Sequence, residues 1–228
     1  MVTPEQLQDA YQKGLRILGG LGEPPEPKPA EEYPIKGGYL SISDALKCDR
    51  LNTYKYLGIQ PSNERQQNGN AEAGIYLEGR ILEAIQLGGI PVTSQADRCR
   101  INIHGIVHAG RLDGAVNSQG QVLEVKTIDK AGFEKNIQFD QPSPWNRPQV
   151  ELYLRSTLAS EALIIYVCRD TERARVYRIT TDDDLWERIK SSVYRISLAQ
   201  APKDVPRKRI PLCKWCVYRD ACWDELPE

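Results

Sequence analysis

Leu7, Tyr11, Leu15 and Leu18 recur at helical spacing and lay one apolar stripe along residues 3–18. Thr3 stands where an N-cap belongs, Pro4 occupies the first helical position, and Gln6 completes a capping-box pattern. The periodicity then stops. GGLGEPPEPKPAEEYPIKGG, ending at Gly38, is rich in Pro, Gly and Glu and predicts an extended linker or an arm over a surface. The helix before it is either an appendage with a docking role or an element packed on its own core. The pattern divides the chain into residues 1–38, helix and Pro-rich linker, and a main domain over 39–228.

Ser41 to Leu57 reads as a second helical segment, with Ile42, Leu46, Leu51, Tyr54 and Leu57 as core contacts and Cys48 in its middle. A third helix over 68–87 is stopped by Gly88-Gly89. A strand follows at about 100–104, and then GRLDGAVNSQGQVLEVKT, Gly110 to Thr127, reads as two strands joined near Ser118-Gln119-Gly120. Val107, Ala109 and Leu112 supply the apolar positions of the first arm, and Val122, Leu123 and Val125 those of the second. A short helix over 129–137, an irregular loop with three prolines over 138–148 and a helix from Gln149 come next. Strands over 162–168 and 174–179 and a helix over 182–198 complete the core. This order predicts an α/β fold with a central mixed β-sheet flanked by helices.

Composition limits the classes of function. A chain of 228 residues with 40% hydrophobic and 27% charged content is an ordinary globular chain with room for one sizeable domain. No apolar run approaches a membrane span and no signal-peptide core opens the chain, so a cytoplasmic location is expected. Six cysteines in that setting argue for metal ligation or buried thiols over a disulfide framework. A net charge of −1 gives no global case for nucleic-acid binding, so local charge must carry any such argument.

The richest local chemistry is in the hairpin. A turn centred on Ser118 and Gln119 sets Asp113 opposite Glu124, and Glu124 and Lys126, two apart, share a face. Two carboxylates and an ammonium in one small space neutralise one another or bind a cation. Carboxylates and a backbone carbonyl suit Mg²⁺ or Mn²⁺ better than Zn²⁺. A nearby lysine then orients or deprotonates a water, or stabilises charge on a phosphate. The plainer reading is an exposed hairpin with a Glu–Lys pair. Glu78 on the third helix is either a solvated carboxylate or a further ligand, with Glu72 and Glu83 less well placed. Gln149 and Tyr153 stand one above the other on their helix. Trp145 is a packing anchor or a surface for stacking a base. His104 and His108 share a face if one strand carries both; a neutral imidazole pair can bind a metal, but core or edge histidines are the commoner outcome, and Cys99 and Cys168 read as ordinary strand thiols.

Near the C-terminus, Cys213, Cys216 and Cys222 form a C-x2-C-x5-C array. Such spacing lets thiolates bite one metal centre, and Cys48 is the natural fourth ligand. A redox CxxC lacks its usual context here. Four thiolates suit structural Zn²⁺ and a [4Fe–4S] cluster equally on chemistry. Lys203, Arg207, Lys208, Arg209 and Lys214 make a basic run beside this array, either a solvated charge run or a contact for a phosphate backbone.

Asp113 with Glu124-Val125-Lys126 resembles the catalytic core of the PD-(D/E)XK nuclease superfamily, and GRLDG followed by EVKT resembles its RecB-like branch. Gly74 to Glu78 stands where that branch carries its first motif. Most iron–sulfur members have His at the last position; other branches use Glu. Gln149 and Tyr153 match its QxxxY motif, and Cys48 in SISDALKCDRLNTYKYL with the three C-terminal cysteines resembles its iron–sulfur staple. That staple occurs in the AddB-type nuclease domain and the CRISPR-associated RecB-like exonucleases. The likeness covers most of residues 41–223. It implies a restriction-endonuclease-like fold with a [4Fe–4S] cluster on Cys48, Cys213, Cys216 and Cys222 joining the N- and C-terminal parts, in preference to zinc. It implies Mg²⁺ or Mn²⁺ on Glu78, Asp113, Glu124 and the Val125 carbonyl, with Lys126, Gln149 and Tyr153 completing the catalytic set.

The implied activity is exonuclease action on single-stranded DNA ends, with some endonuclease activity in relatives. The implied setting is CRISPR spacer acquisition with the integrase complex, or phage or host recombination alongside helicase proteins. Trp145, Arg207, Lys208 and Arg209 are the expected DNA contacts. The alternative is a non-catalytic nucleic-acid-binding module that keeps the fold and the cluster.

Overall fold

The computed structural model describes residues 1–23, 37–62, 69–93, 98–116 and 121–224. In chain order its elements are α1 (Pro4–Leu18), β1 (Tyr39–Ser41), α2 (Asp49–Tyr56), α3 (Gly69–Leu87), β2 (Val92–Thr93), β3 (Arg98–Ile103), β4 (Ile106–Arg111), β5 (Gly114–Val116) and β6 (Gln121–Ile128). α4 (Lys130–Phe139), α5 (Arg147–Thr157), β7 (Glu161–Cys168), β8 (Ala174–Thr180), α6 (Asp183–Leu198) and α7 (Arg219–Asp224) follow. Short 3-10 turns stand at Ile42–Asp44, Pro202–Asp204 and Pro211–Trp215. The centre of the expected Pro-rich linker, the turn at Ser118-Gln119-Gly120 and the Glu72 side chain lie outside the described residues. None of the described helices is long and apolar enough to cross a membrane.

The described residues form two compact units. The first draws on Met1–Lys28, Asn68–Cys99 and Arg111–Thr181. Its five-stranded sheet runs β2-β5-β6-β7-β8, with β6 and β7 parallel and the other pairs antiparallel, so it is mixed as expected. Every residue of β7 is buried, which fits a strand covered on both faces. Leu123 and Val125 of β6 and Leu163, Ile165 and Val167 of β7 turn to one face and pack with Leu77, Ile81 and Ile85 of α3. The alternate residues, among them Glu124 and Lys126, turn to the other face, where α4 and α5 lie.

α1 belongs to this core and is not an appendage. The capping box of Thr3 and Gln6 is formed, and Leu7 and Tyr11 of its stripe are fully buried. Two glycines allow the approach to α3. A Cβ at Gly14 would sit 1.7 Å from the Ala84 carbonyl oxygen, and one at Gly88 1.9 Å from that of Ala10. The helices therefore meet backbone to backbone.

The second unit draws on Pro29–Gln67, Arg100–Gly110 and Asp182–Glu228. Its small sheet has the order β1-β4-β3, with β1 and β4 parallel. Three expectations are corrected here. Ser41–Leu57 is not one helix: Ser41 ends β1, a 3-10 turn follows, and Leu46 takes a left-handed φ of 54° that no helix continues through. Cys48 is consequently the N-cap of α2, its sulfur accepting the Leu51 N–H at 3.5 Å. His104 and His108 do not share a strand. His104 (φ 49°) and Gly105 (φ 81°) make the tight turn between β3 and β4, where two positive φ values suit a hairpin, and His108 is buried within β4.

Arg195 of α6 donates to Asp49 at 2.6 Å, and Ser192 bonds the same carboxylate. These bonds fasten the first turn of α2 and with it the position of Cys48.

Candidate active site

β5 and β6 set the site. Gly114 pairs with Leu123 and Val116 with Gln121, and the same register continued by one residue sets Asp113 against Glu124. The expected opposition is present, although the first arm is not one strand. β4 ends at Arg111 and pairs in the three-stranded sheet, whereas β5 begins at Gly114 in the five-stranded one. Asp113 lies in the break, where its Oδ2 accepts the Val125 N–H at 2.7 Å. N–H and C=O of one extended residue leave on the same side, so the Val125 carbonyl also faces the Asp113 edge.

Glu124 is completely buried. Its Oε1 accepts the Gln149 side-chain amide at 2.8 Å and pairs with the Lys126 ammonium. Its Oε2 is buried and has no hydrogen-bond partner among the described residues. Gln149 reaches it because Pro148 in the first turn starts α5 beside the sheet, and Tyr153, one turn on, donates to the Arg111 carbonyl at 2.7 Å.

The electrostatics point one way. Burial pushes the Glu124 carboxyl up to about 7, with Asp113 and Glu78 adding repulsion against the pull of Lys126. Asp113 is raised by burial, opposed by Lys126, the Val125 N–H and Arg111. Glu78 is raised by burial and by Asp113. Burial works to lower the Lys126 ammonium, yet Glu124, Asp113 and Glu78 together outweigh it and the group holds its proton more firmly. Three acids and one base all shifted towards binding protons describe a site short of positive charge.

That shortage is the test of fit for a divalent cation. As the side chains stand, no three His, Cys, Asp or Glu groups among the described residues are gathered ready to enclose a metal ion. Lys126 and Arg111 occupy the carboxylates instead. The hard oxygen donors, the orphaned Glu124 Oε2 and the unmet negative charge fit Mg²⁺ or Mn²⁺, with Glu78, Asp113, Glu124 and the Val125 carbonyl as the available ligands.

Arg111 is the residue that sequence reasoning missed. Its guanidinium donates to Glu78 Oε1 at 2.9 Å, so it meters the charge of one candidate ligand while its carbonyl receives Tyr153. Its place two residues before Asp113 in GRLDG was the available signal. Glu83 is instead paired with Arg80 at 2.6 Å. The Tyr166 hydroxyl donates to Asn146 Oδ1 at 2.8 Å and accepts the Ser143 N–H at 3.1 Å, fixing the loop that carries Trp145, whose ring is half exposed.

In the second unit, Cys48, Cys216 and Cys222 pack on an apolar cluster of Leu51, Tyr54 and Tyr218, whose tyrosine rings stack at 4.7 Å. Cys48 feels the charge of Cys213, Cys216 that of Cys48 and Cys213, and Cys222 that of Cys48 and Cys216, so the four predicted thiols are neighbours. Burial pushes the thiols of Cys48, Cys216 and Cys222 up. Cys213 accepts the Ile210 N–H at 3.4 Å. Half-buried sulfurs that receive backbone N–H groups fit a metal or cluster ligand set, whose thiolates such bonds stabilise. Of the basic run, Arg207 and Arg209 lie over the Trp223 ring at 4.0 and 4.7 Å, and Lys208 is exposed.

No protein-family model matches the chain, and no curated protein does. Solved structures do. The crystal structure of SSO0001 superposes with a TM-score of 0.55 at 19% identity, covering 96% of each chain. The alkaline exonuclease LHK-Exo from Laribacter hongkongensis, solved also in complex with dAMP, gives 0.53 at 20% identity over 70% of this chain and 86% of that one. At such identity the likeness speaks for the architecture: this chain carries the mixed-sheet α/β fold found in SSO0001 and in that alkaline exonuclease.

Proposed function

We propose that the chain is a Mg²⁺- or Mn²⁺-dependent deoxyribonuclease of the PD-(D/E)XK type, RecB-like, that hydrolyses DNA from single-stranded ends. The observation that carries the reading is the opposition of Asp113 and Glu124 with Lys126 on the same face, in a fold shared with an alkaline exonuclease. When bound, the divalent ion supplies Lewis-acid polarisation of the scissile phosphate and a water of lowered pKa.

The chain's own residues do the rest. Glu78, Asp113, Glu124 and the Val125 carbonyl hold the ion. Lys126, protonated beside three carboxylates, acts as a donor that orients the water and the phosphate oxygens. Gln149 holds Glu124 in its rotamer, and Tyr153 holds the backbone at Arg111. Attack at phosphorus forms one P–O bond and breaks the bond to the 3′ oxygen. The attacking oxygen comes from water, which gives up one proton to solvent, and the 3′ oxygen takes one proton in exchange, leaving a 5′-phosphate and a 3′-hydroxyl.

A [4Fe–4S] cluster on Cys48, Cys213, Cys216 and Cys222, with Zn²⁺ as the other candidate, would bind α2 to the C-terminal segment. Its stabilising logic is that of a cross-link closing a long loop. Trp145, Arg207, Lys208 and Arg209 are the proposed DNA contacts, and the setting is spacer acquisition or phage or host recombination, in the cytoplasm.

The test is degradation of end-labelled single-stranded DNA with Mg²⁺ or Mn²⁺ by anaerobically purified wild type and Asp113→Ala. Shortening by wild type alone is expected. Binding by both without cutting by either would replace this reading with a non-catalytic DNA-binding module.

A further inference from the structure

The C-terminal segment contains an aromatic group that the proposed chemistry does not use. Trp215 sits inside the cysteine array, on the 3-10 turn Pro211–Trp215, between Cys213 and Cys216. It is 62% exposed. The other aromatic of the segment differs: Trp223 is covered by Arg207 and Arg209, and Arg207 is further engaged with the Cys222 carbonyl at 3.3 Å. Among the described residues, the cation over the Trp215 ring is the Lys214 ammonium, at 4.9 Å, and that side chain is itself exposed.

Residues 205–219 carry Arg207, Lys208, Arg209, Lys214 and Arg219 and no acidic residue. The basic run is tied to the Trp215 turn. Cys213 Sγ accepts the N–H of Ile210, the residue directly after Arg209, at 3.4 Å. An open indole face held among cations matches a partner with π-faces along a polyanion. An unstacked nucleobase beside its phosphate has that chemistry, whereas bases inside a duplex have their faces taken.

We infer that Trp215 stacks on a base of single-stranded DNA while Lys214 and Lys208 meet the flanking phosphates, so that the cysteine turn is a strand-holding element. The inference rests on the nuclease reading for the identity of the nucleic acid. Arg207 and Arg209 lie over the Trp223 ring and remain among the proposed DNA contacts.

The test uses the full chain carrying Asp113→Asn, in EDTA, with labelled oligothymidylate, an abasic strand of equal length and a closed hairpin duplex. Trp215→Ala is expected to weaken oligothymidylate binding about tenfold and to leave the abasic strand unaffected. Lys214→Gln is expected to lower the salt dependence on both strands by about 0.7 in slope. Titration with oligothymidylate should quench tryptophan fluorescence in the parent. Trp215→Phe, which keeps an aromatic ring in the turn, should bind with most of that quenching gone. Equal losses on thymidylate and abasic strands, or undiminished quenching in Trp215→Phe, would overturn the inference. Wild type that trims DNA with Mg²⁺ while Trp215→Ala binds like its Asp113→Asn parent removes this inference alone. A parent that binds none of the three probes removes it together with the nuclease reading.

Discussion

The Gln149 side-chain amide donates to Glu124 Oε1 across 2.8 Å, joining α5 to the middle of β6. The same oxygen pairs with Lys126, so the bond decides which way the other oxygen points. Glu124 Oε2 is thereby left buried and without a hydrogen-bond partner among the described residues, the position the proposed cation would fill. Removing the amide should loosen the ligand and spare the fold. Gln149→Ala is expected to lower metal affinity and nuclease rate by about 10- to 100-fold, the usual scale for a group that orients a ligand. Isothermal titration with Mn²⁺ and single-turnover cleavage measure the two, and an unchanged melting temperature certifies the fold.

The acidic site is a liability to the metal-free protein. Glu124 titrates near 7 in the folded chain against 4.5 as the ordinary value. An acid with a raised pKa binds more protons folded than unfolded, so it costs stability as pH rises through the interval between them. At pH 5 the carboxyl is largely protonated and resembles an amide; at pH 8 it is a buried anion. Glu124→Gln should therefore melt near the wild-type temperature at pH 5 in EDTA and above it at pH 8. Mg²⁺ should restore the wild type at pH 8 and do little for the variant. Thermal melts of both proteins in EDTA at the two pH values, and with Mg²⁺ at pH 8, test this.

Much of this site was legible because strand geometry is periodic. Once the turn is centred on Ser118 and Gln119, a two-residue repeat alone sets Asp113 against Glu124 and Glu124 beside Lys126. Gln149 and Tyr153 followed from helix spacing in the same way. Where the sequence misled, geometry left no local mark. The apolar positions at Ile42 and Leu46 mimic a helix but belong to a 3-10 turn and to a leucine with positive φ, which tertiary packing imposes. Arg111 was passed over because its partner Glu78 lies 33 residues earlier, and no periodicity links the two. Gly14 and Gly88 were the overlooked sign that α1 is core, since small residues at helical positions mark close backbone approach.

That close approach can itself be tried. A Cβ at Gly14 would overlap the Ala84 carbonyl, and relief requires the two helices to part. Overpacking of this kind costs about 1–3 kcal/mol or more. Gly14→Ala should lower the unfolding free energy measured by chemical denaturation by that amount, whereas Gly79→Ala on α3, with open space around it, should raise it slightly.

The cysteine set makes a compositional prediction. Anaerobically purified wild type should contain iron and acid-labile sulfide with broad visible absorption. Cys48→Ser, Cys213→Ser, Cys216→Ser and Cys222→Ser should each lose most of both. Zinc in a colourless protein would assign the same four sulfurs to the other metal. In either case the variants should melt lower, because metal binding at such sites is coupled to folding.

His108 supplies the last prediction, and its sign opposes that of Glu124. The imidazole is 2% exposed in β4, where its register partner on β1 is Leu40. Burial lowers its pKa from 6.5 to about 4, only partly offset by a backbone hydrogen bond at Ile106. Between those values the unfolded chain binds a proton that the folded chain refuses. The neutral imidazole thus contributes stability above about 6.5 that is lost as pH falls towards 4, up to about 3 kcal/mol. Acidification therefore relieves the carboxylate site and strains β4 at once, and the wild-type profile is the difference of the two. His108→Leu should gain stability relative to wild type as pH falls from 6.5 to 4, measured by denaturant unfolding across that range. In the His108→Leu/Glu124→Gln double variant the pH profile should change by the sum of the two single-variant changes, because neither side chain contributes to the other's shift. An acid limb as steep in His108→Leu as in wild type would show that β4 already opens to admit the proton.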